Sequence, residues 1–252
     1  MGAGLFDAEA RHYDLAHGAR TADGHALRAR ADVALGLLAS RSGSVLDAGM
    51  GPGHLVAALD RRGWTVSGVD GSLAMVQAAR SRLPTVAERL TQARLEQLPF
   101  ADARFDAVTA IGVLELVDDA DAVLRELVRV LRPEGIAIVS APNVTSPYLL
   151  WRHFVVYPLV RVAKRLGRFA RPAPPRRALP PRRAKFERRL RAAGLEVSAA
   201  KHASYQLALS PLDLLLPRAS VALSERLEGG PLGGMLATQI VFAAQRRAAG
   251  SR

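Results

Sequence analysis

The stretch Val45 to Gly53, V-L-D-A-G-M-G-P-G, is an apolar run ending in three alternating glycines, with an acid two residues before the first. A short buried strand entering such a turn, followed by the helical pattern His54 to Arg61, is the strand–turn–helix unit that opens nucleotide-binding α/β folds. Glycine there lets the backbone pass close to a ligand. The spacing of the glycines then divides the ligand classes. A dinucleotide fingerprint G-x-G-x-x-G begun at Gly49 needs a small residue where His54 stands, and begun at Gly51 it needs one at Val56. No G-x-x-x-x-G-K-[ST] phosphate loop occurs in the chain. Asp47, at the strand tip, repels a phosphate and attracts an ammonium. A nucleoside that carries an amino acid therefore fits better than a pyrophosphate or triphosphate ligand.

Further blocks follow in order. The strand Thr65 to Val69 ends in Asp70, and Ser72 is placed to cap a helix whose apolar positions Leu73, Val76 and Ala79 recur at helical spacing. Next come L-E-Q-L-P-F-A-D-A-R-F-D-A-V from Leu95 to Val108, V-L-E-L-V-D-D from Val113 to Asp119, and a helix ending in R-V-L-R-P-E-G at Arg129 to Gly135. This ordered set, led by D-x-G-x-G-x-G, resembles the class I S-adenosylmethionine-dependent methyltransferases, in particular the small-molecule enzymes of ubiquinone and menaquinone biosynthesis. The resemblance runs from about Phe6 to Asn143 and continues more weakly through the last strands.

The resemblance implies an α/β fold, a Rossmann-like, seven-stranded, mostly parallel sheet with helices on both faces, and a last strand lying antiparallel beside strand five. It implies S-adenosyl-L-methionine as cofactor. Asp47, Gly49, Gly51 and Gly53 are expected at the methionine end, Asp70 at the ribose hydroxyls, Ser72 or Leu73 beside the adenine, and Leu95 packed on the ring. Ala110 and Ile111 are expected beside the methionine chain, and Tyr13, in the lead-in F-D-A-E-A-R-H-Y-D, near the cofactor. Relatives commonly carry an Asp before the position of Leu95; Arg94 stands there instead, which leaves the adenine amino group to Glu96 or to a backbone carbonyl. Glu115-Leu116-Val117 replaces the Glu-His-Val of ubiquinone-pathway O-methyltransferases, so no metal is expected.

Methyl transfer from a sulfonium asks mainly for positioning in a dry pocket, with a base only where the acceptor must lose a proton. His12 and His17 in the N-terminal segment, and His153 and Tyr148 where an insertion begins, are the candidates for that role, although each reads first as a structural or exposed residue.

At 252 residues and 49% hydrophobic, the chain can bury a full core without metal or disulfide support. The complete absence of cysteine removes thiolate chemistry and fits a reducing compartment. Neither a secretory leader nor an apolar run of about 18 residues is visible, so a cytoplasmic location is expected. The expected plan is one domain over 1–252: an N-terminal helical segment 7–39, a cofactor-binding core 44–143, a cap insertion 147–184, and C-terminal helix and strands 185–246.

Charge is concentrated in the insertion. Residues 1–150 carry 15 basic and 18 acidic side chains, net −3, whereas residues 151–252 carry 20 and 5, net +15. Between Arg152 and Arg191 there are 14 Lys or Arg against the single acid Glu187, around the Pro-rich run Arg171 to Arg183. From Leu159 to Phe169, Arg161, Lys164, Arg165 and Arg168 fall within an arc of about 100°, with Val162, Leu166 and Phe169 opposite. Pro158 is placed to start this basic amphipathic helix, with Trp151, Phe154 and Tyr157 just upstream as aromatic anchors. Such a helix can lie peripherally on an anionic membrane, or simply cap the site with its arginines in water. Nucleic acid is disfavoured: only 3 of the 35 basic residues are lysine, and the aromatics form no stacking platform. The expected activity is methyl transfer to a small-molecule acceptor, apolar or lipid-like, at oxygen. Alternatives are a soluble anionic metabolite as acceptor, and a non-catalytic homologue that binds the cofactor or a partner protein.

Overall fold

The computed structural model describes residues 22–165, 182–205, 217–227 and 233–247. Its centre is a seven-stranded sheet in the order β3-β2-β1-β4-β5-β7-β6. The strands are β1 (Ser44–Ala48), β2 (Thr65–Asp70), β3 (Leu90–Gln92), β4 (Phe105–Ala110), β5 (Leu131–Pro142), β6 (Leu195–Tyr205) and β7 (Ala237–Arg246). The first five pair in parallel, while β7 runs antiparallel to both β5 and β6. This is the expected Rossmann-like, mostly parallel sheet, including its antiparallel last strand.

Helices cover both faces, which is why the central strands read as continuous apolar runs and not as alternating ones. On one face, Leu46, Phe105, Val108, Val139 and Phe242 meet α4 (Ala120–Val130) through Val123, Leu124 and Leu127, and α7 (Arg183–Ala192) through Phe186 and Leu190. On the other, Val45, Val66, Ala107, Ile138 and Val241 meet three helices. These are α1 (Ala22–Leu37), with Ala34 and Leu35; α2 (His54–Asp60), with Leu55, Val56 and Leu59; and α3 (Leu73–Arg82), with Val76 and Ala79.

Local chemistry sets the helix starts. The Ser72 hydroxyl accepts the Met75 N–H at the head of α3, as its position suggested. Asp119 caps α4 by accepting from Asp121 and Ala122. The three-residue β3 was not foreseen, since it is too short to carry a periodicity and depends on its parallel pairing with β2.

Beyond β5, the buried Asn143 organises the exit from the sheet. Its amide donates to the Gly234 and Ala237 carbonyls, and its side-chain oxygen accepts from Thr145. The chain then enters α5 (Pro147–Trp151), a π-turn (Arg152–Val156) and α6 (Tyr157–Arg165) without a break. Pro158 does not start a helix here; it lies inside one. The wider π-turn just before it, in which the Tyr157 N–H bonds the Arg152 carbonyl, accommodates a ring that would clash in a regular α-turn. Trp151, Phe154 and Tyr157 are consequently helical themselves, and the Arg152 guanidinium stacks over Tyr148 and Tyr157. Residues 166–181, which hold the end of the expected amphipathic helix and most of the Pro-rich run, lie outside the described residues, as do residues 206–216 before α8 (Pro217–Leu227).

Arg129 ties the loop before β4 to α4. It reaches Glu126 at 2.7 Å, Asp102 at 2.7 Å, and the carbonyls of Phe100 and Leu98 at 2.8 and 3.0 Å. Replacing Arg129 by Met removes all four and strands Glu126 partly buried. The expected loss is about 2 kcal/mol in urea denaturation, with the m-value unchanged.

Candidate functional site

The strand order reverses between β1 and β4, where chain connections lead away in opposite directions and leave a crevice at the carboxyl ends of the strands. Asp47 and Thr109 face each other across that pair, and the Thr109 hydroxyl donates to Asp47 Oδ1 at 2.7 Å. Asp47 is only 3% exposed.

The turn after β1 has the backbone that its glycines permit. Gly49, Gly51 and Gly53 have φ of 78°, 53° and 81°, in the left-handed region that side chains disfavour. A Cβ on Gly49 would lie 2.5 Å from Val113 Cγ2. The amides of this turn point inward. Those of Gly49 and Met50 donate to the Val69 carbonyl, that of Gly51 to Asp70 Oδ2, and that of Gly53 to the Met50 carbonyl. A phosphate cradle needs outward-facing N–H groups. This turn offers two carboxylates instead, Asp47 and Asp70, and so suits a cation.

Asp70 is doubly anchored, since its other oxygen accepts the Ser72 N–H at 2.9 Å. Beside it Leu73 is 46% exposed, a large apolar side chain left open at the rim. Leu95 is buried, and Glu96 pairs with the exposed Arg94 at 3.5 Å, so the departure at Arg94 is matched by an acid within reach.

Burial raises the Asp47 carboxyl to about 7, with the neighbouring Asp70 charge adding to the effect and the Thr109 hydrogen bond opposing it. Asp47 therefore changes charge near neutral pH.

A cavity of about 50 Å³ joins Asp47, Gly49, Met50 and Ile111 to Leu27, Arg30 and Ala31 of α1. Ala110 is buried just before it. Arg30 was not foreseen as a site residue. It occupies the face of α1 shared by the buried Ala26 and Ala34, so a lone charge at i+4 in a buried stripe was the signal available in the sequence. Thr109 and Ser140, whose hydroxyl accepts the Gly112 N–H, also went unmarked. His12, Tyr13 and His17 lie outside the described residues. His153 stands in the π-turn, edge-on to Phe154, and does not line this cavity. A larger groove, about 320 Å³ between Arg41, Trp64, Asp106 and Arg132, contains none of the predicted site residues, and Arg132 is there paired with Asp106.

Residues 46–139 match the family model described as a methyltransferase domain. The chain is 34% identical over 171 residues to a demethylmenaquinone methyltransferase of Mycolicibacterium paratuberculosis, covering 66% of this chain and 71% of that one. The chain belongs to the class I S-adenosylmethionine-dependent methyltransferases. It is also 38% identical over 135 residues to the malonyl-[acyl-carrier protein] O-methyltransferase of Pseudescherichia vulneris, covering 52% of this chain and 53% of that one. Several curated relatives are thus matched over only about half their length, 53% and 56% for two of them. Among solved structures, the magnesium protoporphyrin IX methyltransferase of Synechocystis PCC 6803 with bound S-adenosylhomocysteine superposes with a TM-score of 0.53 at 20% identity, over 86% of this chain and 81% of that one.

In this class I family member the raised Asp47 pKa has a sign that can be tested. The folded state holds the proton more tightly than the unfolded chain does. The stability contribution is fully present below the unfolded value of 3.8 and is lost as pH rises through about 7. Asp47→Asn removes this dependence. Relative to wild type, the variant is expected to gain stability between pH 5 and pH 7, by up to about 1.4 kcal/mol per pH unit, in urea titrations of the ligand-free protein.

Proposed function

We propose that the chain transfers a methyl group from S-adenosylmethionine to a small-molecule acceptor that is apolar or lipid-like, at an oxygen atom. The observation that carries this reading is the turn after β1, with its amides engaged inward and two carboxylates, Asp47 and Asp70, beside it. The donor set fits the cofactor part by part. Asp47 offers a negative charge to an ammonium, directly or through water. Asp70, whose two oxygens each accept one backbone amide, is the acceptor we assign to the ribose hydroxyls. Leu73 and Leu95 offer apolar surface to the adenine, with Glu96 or a backbone carbonyl for its amino group. Bound there, the cofactor supplies an electrophilic methyl group on a sulfonium.

The remaining work falls to the protein. Gly49 and Gly53 keep the turn low enough for close approach, while Ala110 and Ile111 form the wall beside the methionine chain. The N-terminal segment and the cap exclude water and orient the acceptor. An oxygen acceptor that must lose a proton is served by an imidazole, for which His12, His17 and His153 are our candidates.

The lipid-like acceptor is favoured by the surface of residues 147–165. Phe154 and Leu159 are each 62% exposed and Val162 is 54% exposed on this one helical segment, next to Arg161. Exposed apolar side chains among arginines match the interface of an anionic membrane. Among the described residues no helix is long and apolar enough to cross a bilayer, so the contact we propose is peripheral.

The test uses methyl-tritiated S-adenosylmethionine with vesicles of a bacterial lipid extract containing anionic phospholipid. Protein-dependent tritium in the organic phase is expected. The double variant Phe154→Ser, Leu159→Ser should lose flotation with the vesicles and at least about fivefold of that transfer, since two buried aromatic or aliphatic anchors are each worth about 1 kcal/mol or more. Label appearing only in a water-soluble anionic metabolite would replace the lipid reading by the alternative acceptor, and no transfer to any acceptor would leave a cofactor-binding homologue.

A further inference from the structure

The groove that contains Arg41, Trp64, Asp106 and Arg132 has no part in methyl transfer. It lies at the starting ends of the parallel strands: Ser42 and Trp64 stand just before β1 and β2, Asp106 is near the start of β4, and residues 132–135 belong to the first part of β5. Asp47 and its crevice are at the finishing ends. Along β4 alone, Asp106 and the Thr109 that bonds Asp47 are about 10 Å apart. At about 320 Å³ the groove reaches the lower size of small-ligand sites.

One of its walls is firmly built. Asp106 Oδ2 accepts the Ser44 amide at 2.8 Å and the Ser44 hydroxyl at 2.7 Å, while Oδ1 accepts from Arg132. Gly43 leaves room for this carboxylate, since a Cβ there would lie 2.5 Å from Oδ2. Burial works against the charge, but the Ser44 bonds and the Arg132 guanidinium outweigh it and hold the carboxyl below the usual carboxylate range. Asp106 thus stays charged and keeps Arg132 at the groove, with one nitrogen of the guanidinium used among the described residues. The floor is Trp64, which is 4% exposed and packs into the core on its other side.

Two charges in the groove are left over. Arg41 and Glu134 are exposed, and neither enters an ion pair among the described residues although both line this one groove. Glu134 is also strained. It follows Pro133 with φ of 62°, a turn order that normally takes Gly or Asn at the third place. A glutamate retained in that conformation costs stability, and such outliers gather where a side chain serves a ligand.

We infer that this groove binds a free α-amino acid with an apolar side chain. Arg41 and the open part of the Arg132 fork take the carboxylate, Glu134 takes the ammonium, and the side chain lies against Trp64 and Pro133. A cation and an anion held apart on one small groove match a zwitterion, whereas a plain anion would meet Glu134 and a plain amine would meet two arginines. The inference does not depend on the cofactor or the acceptor assigned above.

The chain has two tryptophans, so Trp151→Phe leaves Trp64 as the one indole whose emission is read. This full-length variant is titrated with L-leucine and L-phenylalanine, and with isocaproate and isoamylamine, which each lack one of the two charges of leucine. A saturable change is expected for the amino acids, with half-saturation at about 1 mM, and binding at least about tenfold weaker for each singly charged compound. Calorimetric titration of the wild-type chain with the same four compounds must give the same ranking without any substitution. Arg41→Met and Glu134→Gln should each weaken L-leucine by about tenfold. Glu134→Gly should weaken it as well while raising the melting temperature, because glycine accepts the positive φ. No response to either amino acid, isocaproate binding as well as L-leucine, or L-leucine binding unchanged in Arg41→Met or Glu134→Gln would each overturn the assignment.

Discussion

Both oxygens of Asp70 are committed to backbone amides, one from Gly51 in the turn after β1 and one from Ser72 at the head of α3. A single carboxylate thereby fixes the tips of two neighbouring strands against each other. The Val69 carbonyl does the same for Gly49 and Met50. Because these bonds turn the amides of Gly49, Met50, Gly51 and Gly53 inward, the loop that elsewhere cradles phosphate is bordered by acids instead. The ligand class follows from the direction of a few N–H bonds more than from the presence of glycine.

Around that fixed turn, the fold assembles the rest of the site from distant parts of the chain. α1 carries Leu27, Arg30 and Ala31 to the cavity, and it is held there by Ser204, which comes 178 residues after the Ala26 whose carbonyl it bonds. Thr238 in turn donates to the Ser204 carbonyl at 2.7 Å, so the antiparallel pair β6 and β7 braces the helix. At the same end of β7, Asn143 secures the point where the chain leaves the sheet after β5. Helix α1 and the exit from β5 are therefore each held by a buried polar side chain, Ser204 and Asn143.

What could be read from the sequence was what is local. The β1 turn, the acid ending β2 and the Ser72 cap are each encoded within about ten residues, and each stands where its pattern placed it. Features that depend on remote partners were not legible. β3 exists through its pairing with β2, and Pro158 sits inside a helix because a π-turn makes room for it. The place of Arg30 at the cavity emerges only when Gly112, 82 positions away, is brought against it, which spacing along α1 alone could not resolve.

The most direct test of the central claim, that the inward-turned loop and its two acids select a cationic amino-acid nucleoside, is a competition titration. Labelled S-adenosylmethionine bound to the wild-type protein is challenged with unlabelled S-adenosylhomocysteine, NAD and ATP at equal concentrations. Displacement by S-adenosylhomocysteine, with NAD and ATP ineffective, is the result expected from amides that face away from the ligand. Displacement by ATP or NAD at comparable concentration, or no binding of S-adenosylmethionine by folded protein, would contradict it.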